Sequence, residues 1–255
     1  MKVGLVLSGG GARGISHAGV IKALTELGIT IERISGTSAG AIVGTLCAHG
    51  YTPDEILQAI VSTRLFTTMR PAWKWTGLLT MDGLKSTLLN LLPENSFESL
   101  RIPMTIAATD IRRGKPVYFD QGELVPALLA SCCVPAFFNP VEFNGGTYVD
   151  GGLMDNLPVK PIRESCDFVI GSHCNYISDE FDIKSIRSVI ERSLLIAING
   201  NTTISKNMCD ILIEPPGLGS YSGFDLGKAN ILFQSGYDFV KENFRLDDFE
   251  RKRNA

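Results

Sequence analysis

A serine with glycine two positions before and two after it, Gly36-Thr37-Ser38-Ala39-Gly40, stands where an apolar extended run ends and a second apolar run, residues 41–48, begins. Strand, tight turn and helix in that order present a serine as a nucleophile. The turn is so crowded that only very small residues fit at the two flanking positions. The helix after the turn brings its N-terminus beneath Ser38, where it favours developing negative charge. Gly-x-Ser-x-Gly also arises in ordinary turns, so its weight rests on the strand-turn-helix setting.

A second loop has the composition of an anion site. Gly9-Gly10-Gly11-Ala12-Arg13-Gly14 follows the apolar run 2–7 and precedes helical spacing over 15–27, which Gly28 ends. Several backbone N–H groups beside a helix N-terminus attract an anion. Gly9-x-Gly11-x-x-Gly14 matches the dinucleotide fingerprint, and Glu32 lies at about the distance where an acid would hold a ribose hydroxyl. Against this, the second strand runs through Ile34-Ser35-Gly36 straight into the Ser38 turn, with no acid at its end. If strands 2–7 and 32–35 are parallel neighbours joined by the helix between them, their C-terminal ends lie side by side. The glycine loop then sits next to Ser38 as an oxyanion hole.

The base that would activate Ser38 is open between two arrangements. Asn144-Gly145-Gly146 is a hairpin turn between 141–143 and 147–149, and the hairpin delivers Asp150 with Gly151 and Gly152 behind it. Turn chemistry alone also selects Asp-Gly-Gly. Asp110, after the strand read over 102–108, is better explained as ordering the turn at Arg112-Arg113-Gly114. Of three histidines, His17 and His49 fall in helical spacing. His173, after the strand read over 168–171, remains, and Ser38, Asp150 and His173 occur in the chain order of α/β-hydrolase triads.

Taken together, Gly-Gly-Gly-x-Arg-Gly after the first strand, Gly-Thr-Ser-Ala-Gly after the second and Asp-Gly-Gly after a hairpin closely resemble the patatin-like phospholipase family, over residues 3–160. The resemblance implies a three-layer α/β/α fold with a largely parallel central sheet, formed by residues 1–255 as one domain. It implies a serine esterase that cleaves acyl esters of (lyso)phospholipids or related lipids through a Ser38–Asp150 dyad, with no histidine, metal or cofactor. The glycine loop, Gly9, Gly10, Gly11, Ala12 and Arg13, would be the oxyanion hole, with amides of Gly10, Gly11 and Ala12 as donors. Arg13 either meets a substrate phosphate or orients the loop. A free aspartate, with a pKa near about 3.9, is a poor base for a serine hydroxyl, so Asp150 would have to work in a desolvated site. The alternative to an enzyme is a non-catalytic regulator that binds an acyl lipid or dinucleotide.

Composition narrows the field further. The chain has 255 residues, 44% of them hydrophobic, with a formal charge of −3, which suits a globular protein and excludes the charge balance of a nucleic-acid binder. Its six cysteines include no Cys-x-x-Cys pair, so no structural metal is expected and buried, reduced thiols are. No secretory leader and no apolar run of about 18 residues is present, which predicts a cytoplasmic chain touching the inner membrane face at most peripherally. Trp73 and Trp75, interleaved with Arg64, Arg70 and Lys74, suit a membrane interface or an acyl-chain lid as well as a packed loop, giving a candidate lid over 64–93. The apolar stretch 132–138 suits an acyl pocket or core packing. Beyond residue 160, a strand is expected over 167–172, a helix over 183–205, a last strand over 209–213, and a solvated charged tail from 241.

Overall fold

The computed structural model describes residues 2–63, 70–71, 79–179, 183, 185–223 and 225–253. The first apolar run forms β1 (Val3–Leu7), a strand covered on both faces. Successive side chains of a strand point to opposite faces. Accordingly Leu5 and Leu7 enter the larger core cluster, while Val6 packs with Leu157, Val159 and Ile162 on the other side. The helices are α1 (Ser16–Glu26), α2 (Ala39–His49), α3 (Pro53–Thr63), α4 (Asp82–Leu91), α5 (Leu124–Ser131), α6 (Lys160–Arg163), α7 (Ile186–Asn207), α8 (Ala229–Asn243) and α9 (Leu246–Arg253).

The strands after β1 are β2 (Arg33–Thr37), a two-residue ladder of β3 (Arg70–Pro71) with β4 (Leu79–Thr80), then β5 (Met104–Asp110), β6 (Lys115–Phe119), β7 (Val141–Phe143), β8 (Gly146–Asp150), β9 (Phe168–Ser172) and β10 (Ile211–Ile213). The main sheet runs β10-β9-β1-β2-β5-β8-β7, with β6 on the far edge of β5. Five strands, β10, β9, β1, β2 and β5, are parallel; β6 and β8 pair antiparallel with β5, and β7 pairs antiparallel with β8. This is the mixed α/β architecture expected from the sequence, with helices around a central sheet.

One register decides where the site forms. Ala107 of β5 pairs with Tyr118 of β6 and with Thr37 of β2, and Ala108 pairs with Val117 of β6 and with Asp150 of β8. Since β6 pairs with one edge of β5 from Ile106 to Asp110, past both of these pairs, β2 and β8 share the other edge. The parallel strand β2 runs up that edge and stops at Thr37, and the antiparallel strand β8 runs down it and stops at Asp150. Their C-terminal ends meet head-on.

Two local readings change. The helix after the glycine loop starts as a 3-10 turn, Gly11–Ile15, before α1. Helix α8 was not foreseen; it lies so close to α1 that a Cβ on Gly19 would stand 2.0 Å from the Phe233 carbonyl oxygen, and one on Gly236 2.1 Å from that of Ser16. Trp73 and Trp75, with residues 64–69 and 72–78 around them, fall outside the described residues.

Candidate active site

Strand β2 passes into α2 through Ser38, whose backbone has φ 53° and ψ −122°, a conformation rare for a residue with a side chain. Both flanking glycines are required there. A Cβ on Gly36 would lie 2.8 Å from the Gly40 carbonyl carbon, and one on Gly40 2.4 Å from the Leu7 carbonyl oxygen at the end of β1. The turn is fastened from α5: the Ser38 amide donates to Ser131 Oγ at 2.8 Å, and that hydroxyl donates to the Ala107 carbonyl at 2.6 Å. Ser131 is fully buried and was not singled out from the sequence. A lone buried serine carries no spacing signal that would have found it.

Asp150 is held as firmly. Its amide donates to the Cys133 carbonyl at 2.8 Å, its carbonyl accepts from Thr109 Oγ1 at 2.9 Å, and its carboxylate accepts from the Gly152 amide at 2.8 Å. Burial raises the carboxyl pKa to about 6, against the lowering effect of the Gly152 amide and of the Ser38 hydroxyl. The same hydroxyl interacts with the Cys132 thiol, which burial and the nearby Asp150 charge hold well above the usual thiol range and so neutral. Gly151 must be glycine, because a Cβ would stand 2.4 Å from the Ala107 carbonyl oxygen.

The glycine loop adjoins this pair. The Gly9 amide donates to the Asn156 carbonyl at 3.2 Å and the Ala12 amide to the Gly223 carbonyl at 2.7 Å. Ala12 is therefore removed from the expected donors. The amides of Gly10 and Gly11 have no acceptor among the described residues. Gly11 has φ 58°, and Arg13 is buried with Nε donating to the Gly10 carbonyl at 3.4 Å. That contact favours a loop-orienting role for Arg13.

The histidines lie away from Ser38. His17 is fully buried; its Nε2 donates to the Ser8 carbonyl at 2.8 Å and its Nδ1 accepts from the Ser172 hydroxyl at 2.8 Å. Burial lowers its pKa to about 4, so it is a neutral brace beneath the glycine loop. His173 Nδ1 bonds Glu214 Oε1 at 2.7 Å, and the ring does not border the pocket on which Ser38 opens. Burial would raise Glu214, but hydrogen bonds from His173 and Lys206 hold it at about 2. The triad is thereby set aside. So is the dinucleotide reading, since Glu32 is exposed at the start of β2, the opposite end of that strand from the loop. Asp110 accepts from the amides of Arg112 and Arg113 at 3.0 Å each, as a turn-ordering residue does.

The pocket bordered by Ser38, Asp150 and the glycine loop is apolar. Its apolar lining includes Val134, Phe137 and Phe138, Met81 and Leu84, and Leu194 and Ile198 of α7. Stretch 132–138 is thus pocket wall, and the end of the candidate lid reaches the pocket through Met81 and Leu84. Among the described residues no group of three or more His, Cys, Asp or Glu is placed to hold a metal, and no helix is long and apolar enough to cross a membrane.

The family model for patatin-like phospholipase matches residues 5–162. An uncharacterized NTE family protein of Mycobacterium bovis, Mb1092c, is 38% identical over 164 residues, which cover 63% of this chain and 45% of that protein. Lysophospholipase nte1 of Aspergillus fumigatus is 26% identical over 94% of this chain and 18% of its own length. The chain thus spans less than half the length of these relatives. The crystal structure of VipD from Legionella pneumophila shares the fold, with a TM-score of 0.55 at 16% identity, over 97% of this chain and 67% of that one. With its family match covering both glycine motifs and Asp150, the chain belongs to the patatin-like phospholipase family.

Proposed function

We propose that the chain is a serine-dependent lipid acyl hydrolase working through a Ser38–Asp150 dyad. The observation that carries this reading is the head-on meeting of β2 and β8 on one edge of β5, which sets the Ser38 hydroxyl beside a buried carboxylate. Ser38 Oγ attacks the ester carbonyl carbon as Asp150 takes its proton, and the oxyanion is received by the Gly10 and Gly11 amides. Collapse breaks the ester C–O bond, and the leaving alcohol takes the proton from Asp150. Water, deprotonated by the same carboxylate, then attacks the acyl carbon; the acyl–Ser38 C–O bond breaks, the fatty acid leaves, and Ser38 Oγ takes back the proton from Asp150.

A pKa of about 6 suits this cycle: Asp150 is ionised at neutral pH, yet more basic than a solvated aspartate. The apolar pocket fits an acyl chain, and kinship with a lysophospholipase favours phospholipid or lysophospholipid esters. Exposed Ile186, Val189, Ile190 and Ile196 on α7 support peripheral contact with a lipid surface. The test is intact mass after exposure to a fluorophosphonate, with p-nitrophenyl ester hydrolysis in parallel. One adduct on Ser38, absent in Ser38→Ala, with turnover lost in Ser38→Ala and Asp150→Asn, is expected. No adduct and no turnover would sink the reading.

A further inference from the structure

We propose that Asn175 is a positioning residue for the oxyanion hole, which it sets by clamping the Gly9–Gly10 peptide; the proposal rests on the hydrolase reading above. In a planar trans peptide the C=O and the following N–H point in opposite directions. Fastening the Gly9 carbonyl therefore fixes where the Gly10 amide points. Three donors converge on that carbonyl: Asn175 Nδ2 at 2.6 Å, Cys174 Sγ at 3.4 Å and Asn156 Nδ2 at 3.5 Å. Asn175 makes the short bond, and it is 2% exposed.

Such a clamp is needed because a peptide between two glycines has little steric reason to keep one orientation. The loop accommodates the clamp in turn. A Cβ on Gly10 would stand 2.8 Å from Asn175 Oδ1 and 2.3 Å from Cys174 Sγ, so Gly10 is kept bare for these two side chains to close in behind it. Cys174 is itself fixed, its amide donating to Ser8 Oγ at 3.0 Å.

Asn175 also joins the loop to the pocket wall. Its backbone carbonyl accepts from Asn199 Nδ2 at 2.6 Å, and Asn199 follows Ile198 on α7, the helix whose Leu194, Leu195 and Ile198 border the pocket. The chain of contact runs from α7 through Asn199 and Asn175 to the Gly9 carbonyl and so to the Gly10 amide. Asn175 lies beyond the family match, which ends at residue 162, so the motifs do not assign it.

The experiment uses the full chain with Asn175→Ala, Asn175→Asp and Asn199→Ala, measuring p-nitrophenyl butyrate kinetics and the rate of inactivation by a fluorophosphonate. Loss of a whole oxyanion donor typically lowers kcat by about 10²- to 10³-fold. A misdirected donor is expected to lower kcat about tenfold or more in both Asn175 variants, with KM within about twofold. Inactivation should slow by the same factor, because the phosphonate oxygen develops charge in the same place. Asn199→Ala should show a smaller loss of the same kind. Should Asn175→Ala fail to fold by circular dichroism, Asn175→Asp, of equal size but with no amide donor, carries the test. Wild-type kcat and wild-type inactivation rate in the folded Asn175 variants, or a loss confined to KM, would overturn the clamp alone. Absence of both adduct and hydrolysis in the wild-type chain would overturn the hydrolase reading and the clamp together.

Discussion

Thr37 and Asp150 stand opposite consecutive residues, Ala107 and Ala108, on one edge of β5. The residue after Thr37 is Ser38, so two strands running in opposite directions deliver Ser38 and Asp150 to the same point of the sheet. Backbone pairing fixes their relation before any side chain is considered.

The pH dependence of hydrolysis follows from the burial of Asp150. Its pKa is raised to about 6, and in the proposed dyad only the ionised form accepts the Ser38 proton. The expected profile of kcat/KM rises with pH through an apparent pKa near 6 and levels off above it. A profile flat from pH 5 to 8 would exclude this carboxylate as the base.

Stability should run the other way. The folded pKa of Asp150 lies above its unfolded value of about 3.8, so the native state holds a proton that the unfolded chain releases between about pH 4 and 6. The stabilisation this gives is fully present below pH 4 and lost as pH rises through 6. Asp150→Asn keeps an acceptor for the Gly152 amide and removes the buried charge. It is expected to be more stable than wild type at pH 7 by up to about 3 kcal/mol, with the difference vanishing below pH 4. Thermal melts at pH 4 and 7 check both ends.

Ser131→Ala leaves the Ser38 amide and the Ala107 carbonyl without their shared hydroxyl. A buried donor left unpaired costs about 1 to 3 kcal/mol. For a chain of this length that lowers Tm by roughly 2 to 12 °C, at about 2 to 4 °C per kcal/mol. Hydrolysis should fall as well, because the turn that aims Ser38 is released. Unchanged kcat and Tm would remove Ser131 from the site's support.

Gly11→Ala would force a side chain into φ 58° and bring a Cβ to 2.3 Å from the Gly223 carbonyl oxygen. The loop must shift to relieve both, at a cost on the order of 1 to 3 kcal/mol. Turnover is expected to drop by more than tenfold, and p-nitrophenyl ester kinetics measure it.

His173→Gln should keep most of the activity, since the ring bonds Glu214 and does not border the pocket. Loss as complete as that of Ser38→Ala would return the triad to consideration.

Much of this was legible in the residues. Gly36 and Gly40 marked the turn, the apolar runs marked β1 and β2 as parallel neighbours, and Asn144-Gly145-Gly146 marked the hairpin that delivers Asp150. Helix α8 carries its core face at Ala229, Leu232, Phe233, Gly236 and Val240, a helical spacing that the sequence reading does not use. What spacing does not encode is who shares an edge or a hydrogen bond across the fold. Ala12 illustrates this: it lies in the glycine motif, yet a carbonyl from residue 223, far along the chain, takes its amide. Ser131 and Asn175 were invisible for the same reason.

The meeting of β2 and β8 also bears on when Ser38 and Asp150 come together as the chain folds. Both residues reach that point through pairings with a strand remote in sequence: β2 aligns Ile34 with Met104 of β5, and β8 aligns Asp150 with Ala108. Pairings between remote segments form late, because loop closure must precede any gain from contact. A half-folded chain in which only one of β2 and β8 has paired with β5 therefore carries Ser38 without Asp150 beside it. On the dyad reading proposed above, regained esterase activity in a refolding experiment would report that both β2 and β8 have docked on β5 rather than that the sheet has begun to form.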